Sequence, residues 1–97
     1  MEEVPKADVV ITNPTHLAVA IRYDPKAKMS APIIVAKGAN KLAQRIREIA
    51  EENHIPLVEN KPLAQNLYKL DLGEEVPPQF YQAVAEILAY VYGLKGR

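Results

Sequence analysis

Asparagine followed directly by proline, Asn13-Pro14 in the stretch TNPTH, is a place where a side chain has a defined reaction with its own backbone. In the common route the next residue's backbone nitrogen attacks the Asn side-chain carbonyl and the Asn deamidates. Pro14 closes that route, because its tertiary nitrogen has no hydrogen to lose. The reverse attack stays open: the Asn13 carboxamide nitrogen adds to the Asn13 backbone carbonyl, forms a five-membered succinimide and expels Pro14 as a secondary amine. The chain breaks without an outside nucleophile. A turn that held the carboxamide against the carbonyl would supply the near-attack geometry. His16, the side-chain type that titrates nearest neutrality, can relay a proton, and the Thr15 hydroxyl or nearby backbone donors can polarise the carbonyl. An amide nitrogen is a poor nucleophile and an alkylamine a poor leaving group. Such a reaction is slow and single-turnover, which is not the work of a turnover enzyme.

The same four residues also make an ordinary turn, since Asn-Pro is a common turn initiator, and residue chemistry leaves both readings open. In the second reading the chain is a non-cleaving small α/β binding module. A hydrolase using His16 with an acidic partner is a third reading, but the spacing suggests no pair of nucleophile and base. The triplet Asn13-Pro14-Thr15 fails as a glycosylation acceptor because proline occupies its middle position. With no cysteine and two histidines far apart, His16 and His54, no metal and no cofactor are expected.

Strands must position this corner. Val9 to Thr12 is a β-branched run, and Leu17 to Tyr23 alternates large apolar side chains at Leu17, Val19 and Ile21 with small or polar ones. A four-residue loop, Asn13 to His16, would make the two strands antiparallel neighbours. A third apolar run starts at Ile33, after the polar segment from Asp24 to Pro32. Beyond Gly38 the period becomes helical, with Leu42, Ile46 and Ile49 on one face. Pro56 stops that helix near His54, and the sequence from Ile55 to Glu59 predicts a fourth strand. Asn60 and Pro62 open a second helix carrying Leu63, Leu67 and Leu70. A last helix opens at Val76-Pro77-Pro78, buries Phe80, Val84, Ile87, Leu88 and Val91, and would stop at Gly93. The order β-β-β-α-β-α-α predicts an α/β (α+β) domain with one mixed four-stranded sheet packed by three to four helices.

Composition sets the limits. At 97 residues, 48% of them apolar and 25% charged, the chain is expected to form one domain, residues 1–97. Twelve basic residues balance twelve acidic ones, so no net field draws it to nucleic acid. No apolar run is long enough for a membrane span, and the first residues lack a signal peptide's pattern. Lys37, Lys41, Arg45 and Arg47, with Lys26 and Lys28, read as a solvated face or a basic patch for an acidic partner.

Around Asn13-Pro14-Thr15-His16 the sequence resembles the cytoplasmic C-terminal domain of the FlhB/YscU family, the substrate-specificity switch of flagellar and type III secretion export apparatus. The likeness extends through VPKADVVITNPTHLAVAIRYD, MSAP, VAKGANKLAQRIREIA, IPLVENKPLAQNLY and VPPQFYQAVAEILAYVY, nearly the whole chain, and favours the flagellar branch. It implies an N-terminal membrane part absent here, with residues 1–7 as the end of a linker, and a domain on the cytoplasmic face of the bacterial inner membrane. It also implies self-cleavage between Asn13 and Pro14, with both fragments staying associated. The implied function is the change of export from rod and hook subunits to filament subunits. The implied partners are other export-apparatus proteins, a hook-length ruler protein and the export substrates. One position departs: Gln65 stands where the family's stretch has Arg, so no role of a positive charge carries over to it.

Overall fold

The computed structural model describes residues 3–14 and 16–95. Four strands, β1 (Val9–Asn13), β2 (Leu17–Arg22), β3 (Ile33–Ala39) and β4 (Leu57–Glu59), form one sheet in the order β3-β2-β1-β4. The β1/β2 and β2/β3 pairs are antiparallel and β1/β4 is parallel. The helices are α1 (Lys41–Glu52), α2 (Lys61–Tyr68) and α3 (Tyr81–Lys95), with short 3-10 turns at Val4–Lys6, Pro25–Ala27 and Pro78–Phe80. This is the mixed four-stranded sheet and the element order expected from the sequence.

Both faces of the sheet are covered, and the alternation along β1 sorts its residues between them. Val9 and Ile11 join Val19, Ile21 and Ile34 under Leu63 and Leu67 of α2 and Val84, Leu88 and Val91 of α3. Val10 joins Ala18, Ala20 and Ala36 under Ala43, Ile46 and Ala50 of α1. Ile34 and Ala36 are two apart, yet they face opposite layers. The pairing slips between Ala20/Ala36 and Ile21/Ile34, leaving Val35 as an extra residue, and such a bulge reverses the facing of the strand beyond it.

The alanines on the α1 face explain a difference from the periodicity argument. Their small side chains bring α1 close to the sheet, and its buried residues are Ala43, Ile46, Ile49 and Ala50, while Leu42 is 47% exposed. Leu42 lies over Gly38 instead, where a Cβ would sit 2.6 Å from Leu42 Cγ. Two other boundaries differ. Residues 1–7, expected as the end of a linker, contribute side chains to the core: Val4 is fully buried and Ala7 nearly so, in the α1 layer, while Pro5 and Lys6 are exposed. The last helix does not stop at Gly93 but runs through it to Lys95. Gly93 lacks the positive φ of a helix stop and meets nothing within 4 Å at its Cβ position, so it behaves as one more helical residue.

The open edges are managed. β4 has only three residues, and along β3 the Gly73 amide donates to the Ile34 carbonyl at 2.7 Å while the Val76 amide donates to the Pro32 carbonyl at 2.8 Å. α2 is capped as its sequence requires, the Asn60 side chain accepting from the Leu63 amide at 3.2 Å. Lys37 closes its other end by donating to the carbonyls of Tyr68 and Leu70 at 2.9 and 2.7 Å. Arg45 pairs with Glu48 and Glu52 on its own helix. Two of the basic residues considered as one patch, Lys37 and Arg45, therefore serve separate structural tasks.

Candidate functional site

Asn13 is the last residue of β1 and pairs with Leu17, so the loop joining β1 to β2 holds three residues, Pro14 to His16, rather than four. The His16 amide donates to the Asn13 carbonyl at 2.8 Å, closing a β-turn whose second residue is Pro14. Proline suits that position because its fixed φ is the one the turn needs. The carbonyl so engaged belongs to the Asn13-Pro14 bond. A backbone donor already rests on the oxygen that would gather negative charge if the carboxamide attacked that carbon.

Burial separates the two sides of the bond. Asn13 is 8% exposed, at the end of a strand buried along its whole length, whereas Pro14 and His16 are exposed. Thr15, expected to help polarise the carbonyl, lies outside the described residues. Next to the bond is an open, mixed polar cleft of about 510 Å³ lined by Asn13, Pro14, His16, Glu59, Lys61 and Gln65. Parallel pairing creates it: Glu59 of β4 stands beside Thr12, the Asn60 amide donates to the Thr12 carbonyl at 2.9 Å, and α2 begins immediately afterwards. Lys61 and Gln65 are one helical turn apart and share a face.

The opposite side of the turn is held from α1. Arg47 Nη1 donates to the Pro14 carbonyl, and the Asn40 amide donates to the His16 carbonyl at 2.9 Å. Asn40 leads into α1 with φ 55° and ψ −116°, a region L residues seldom occupy.

The sequence reading thus placed Asn13, Pro14 and His16 together, and the structure does so. It did not single out Glu59 or Lys61, and it met Gln65 only as a departure from a pattern. Arg47 appeared there only as one charge among several. The signal that would have found Lys61 and Gln65 was their spacing of four at the start of a helix whose capping residue, Asn60, continues directly from β4. No sequence signal marks Arg47, which reaches Pro14 from 33 positions away.

Among the described residues, no three His, Asp or Glu side chains are grouped to hold a metal ion, and no helix is long and apolar enough to cross a membrane. A second concavity of about 380 Å³, mostly apolar, lies at the other end of β2, between Tyr23, Ala31 and Pro32 and the α3 residues Tyr81, Ala85 and Leu88.

Comparison with known proteins agrees with this arrangement. The flagellar biosynthetic protein FlhB of Bacillus subtilis is 56% identical over 96 residues, covering 98% of this chain and 26% of the relative. The chain therefore spans about a quarter of the length of the curated relatives it matches. The crystal structure of the cytoplasmic domain of FlhB from Shewanella putrefaciens superposes with a TM-score of 0.90 at 43% identity, over 97% of this chain and 72% of that one. A crystal structure of the EscU C-terminal domain carrying an Asn-to-Asp mutation gives 0.87 at 27% identity, over 93% of this chain and 96% of that one. With residues 1–91 matching the profile of the FlhB HrpN YscU SpaS family as well, the chain belongs to that family of flagellar and type III export-apparatus proteins.

Proposed function

We propose that this chain is the self-cleaving cytoplasmic domain of a flagellar export-apparatus protein. In this reading it cuts itself once between Asn13 and Pro14, and the cut accompanies the change of export from rod and hook proteins to filament proteins. The observation that carries the reading is the 2.8 Å hydrogen bond from the His16 amide to the Asn13 carbonyl, made inside an Asn-Pro turn whose asparagine is buried.

The step balances within the chain. Asn13 Nδ2 bonds to the Asn13 carbonyl carbon, the bond from that carbon to the Pro14 nitrogen breaks, and the proton lost from the carboxamide ends on the departing nitrogen. The carbonyl oxygen carries negative charge in between, where the His16 amide stabilises it without having to reorganise. Burial of Asn13 at the end of a strand restricts its side chain, which lowers the entropic cost of holding the carboxamide in one reactive geometry. His16 lines the same cleft and is the titratable side chain nearest the leaving nitrogen in sequence, which suits it to relay that proton. The reaction consumes its own reactant, so the domain is not a turnover enzyme.

Family membership supports a site at the cytoplasmic face of the bacterial inner membrane, attached to a membrane part beyond this chain. It also supports partnership with other export-apparatus proteins, a hook-length ruler protein and the export substrates. Cutting the turn frees the corner from Pro14 to Leu17, which offers partners a surface that differs between the two states.

Mass spectrometry of freshly made, denatured protein tests the chemistry. The expected result is two pieces divided after Asn13, the N-terminal one lighter by one water than its free acid at early times. Asn13→Ala should stay whole, and a parent chain intact under all conditions would leave TNPTH as a turn alone.

A further inference from the structure

Three carbonyls of the turn are held, by three different donors. The Asn13 carbonyl accepts from the His16 amide, the His16 carbonyl from the Asn40 amide, and the Pro14 carbonyl from Arg47. Two of these donors come from α1 and its lead-in, on the face of the sheet away from the polar cleft. Arg47 is half-buried, and among the described residues it makes no ion pair with a carboxylate, in contrast to Arg45 two positions earlier. Its guanidinium is committed to the turn rather than to the helix surface, and its planar fork holds direction as well as distance.

We infer that Arg47 is a positioning residue for the cleavage proposed above, on which this inference rests. Its bond to the Pro14 carbonyl fixes the peptide that follows Pro14, so that the Pro14 nitrogen keeps a set orientation while its bond to Asn13 breaks. The cation also draws electron density from the residue whose nitrogen is leaving, making that nitrogen a better leaving group. The carbonyl it holds is one residue along the chain from that of Asn13, where negative charge gathers during the attack. Arg47 exchanges no proton in this scheme, because a guanidinium stays charged at every workable pH. Its loss should lower the rate at all pH values without changing the shape of the pH profile.

The test follows the cleavage half-time of chains made by pulse-labelled cell-free synthesis, separated on denaturing gels, across pH 6 to 9. Arg47→Ala is expected to slow cleavage at least about tenfold, the order of loss that small misplacements of reacting groups produce. Arg47→Lys, which keeps a donor and a cation, should recover a large part of that loss, and Arg45→Ala should match the parent. Urea midpoints measured in the Asn13→Ala background separate positioning from simple destabilisation. If Arg47→Ala cleaves within twofold of the parent, or if Lys is as slow as Ala and both lower the urea midpoint, Arg47 is not a positioning residue. A parent chain that never cleaves overturns the cleavage reading itself, and Arg47's role with it.

Discussion

Asn40 carries the backbone strain nearest the turn. Its φ of 55° with ψ of −116° is outside the left-handed helical region that Asn tolerates, and its side chain makes no capping bond to α1. What holds it there is position: its amide serves the His16 carbonyl, and its carbonyl accepts the Gln44 amide at 3.0 Å to start α1. Strain of this kind costs roughly 1 to 3 kcal/mol, and glycine would remove it at an entropic cost of up to about 1 kcal/mol. Asn40→Gly should therefore stabilise the domain by about 1 kcal/mol, read as a rise in urea midpoint in the Asn13→Ala background. At this scale the sequence was legible wherever the chemistry is covalent and local. Pro14 excludes deamidation because of an atom it lacks, and Asn60 caps α2 through three residues of chain. Asn40, Glu59 and Arg47 were not legible, because each meets the turn only after the sheet has brought distant segments together.

Elements show where periodicity succeeds and where packing overrides it. The strands and helices announced themselves by period, but a period of 3.6 puts Leu42 in line with Ile46 and Ile49 as readily as it does Ala43. The choice between them is made by the alanine floor of the sheet, which admits a close helix and leaves Leu42 to cover Gly38. A methyl group at Gly38 would lie 2.6 and 2.9 Å from Leu42 Cγ and Cβ, so Gly38→Ala should destabilise by about 1 to 3 kcal/mol. Adding Leu42→Ala removes the Cγ contact but keeps the one to Cβ, so it should return part of that loss, a coupling that a double-mutant cycle measures directly. α3 is joined to the end of β2 by a different device, the Tyr92 hydroxyl donating to the Tyr23 carbonyl at 3.0 Å. Burial first, then Asp8, Tyr23 and Asp24, raise the Tyr92 pKa above its ordinary 10.0. With the folded pKa raised, the contribution is whole below pH 10 and is lost as pH climbs, because the unfolded chain ionises first. The stability difference between parent and Tyr92→Phe should narrow above pH 10, as equilibrium denaturation on both sides of that pH would record.

For the molecule as a whole, the sheet order decides what a cut after Asn13 means. Among the described residues, β1 is the only strand on the N-terminal side of the cut, and it lies between β2 and β4, both of which belong to the other piece. Val4, Val9, Val10 and Ile11 are each fully buried, and burial of such a side chain is worth roughly 1.5 to 3 kcal/mol. The Val10 amide and the Thr12 carbonyl also bond to the β4 segment at 3.0 and 2.9 Å. The N-terminal piece can leave only by emptying the middle of the sheet and part of both cores, so the cleaved molecule should elute as one species. It should nevertheless unfold by a different law. An intact chain unfolds to one molecule, whereas the cleaved domain unfolds to two, and mass action then makes its stability depend on concentration. Each tenfold dilution should lower the apparent unfolding free energy of cleaved protein by about 1.4 kcal/mol, while Asn13→Ala shows no dependence. Ile11→Ala should weaken both forms by about 2 to 5 kcal/mol. Because its missing side chain comes from the piece that can depart, its cleaved form should also separate on dilution under conditions where the parent pieces stay together. Urea titrations at three protein concentrations, with size-exclusion chromatography of the same samples, check all of these outcomes. A cleaved protein whose midpoint ignored concentration would mean that the two pieces do not part on unfolding, contrary to the exchange of covalent for packed connection that the central strand implies.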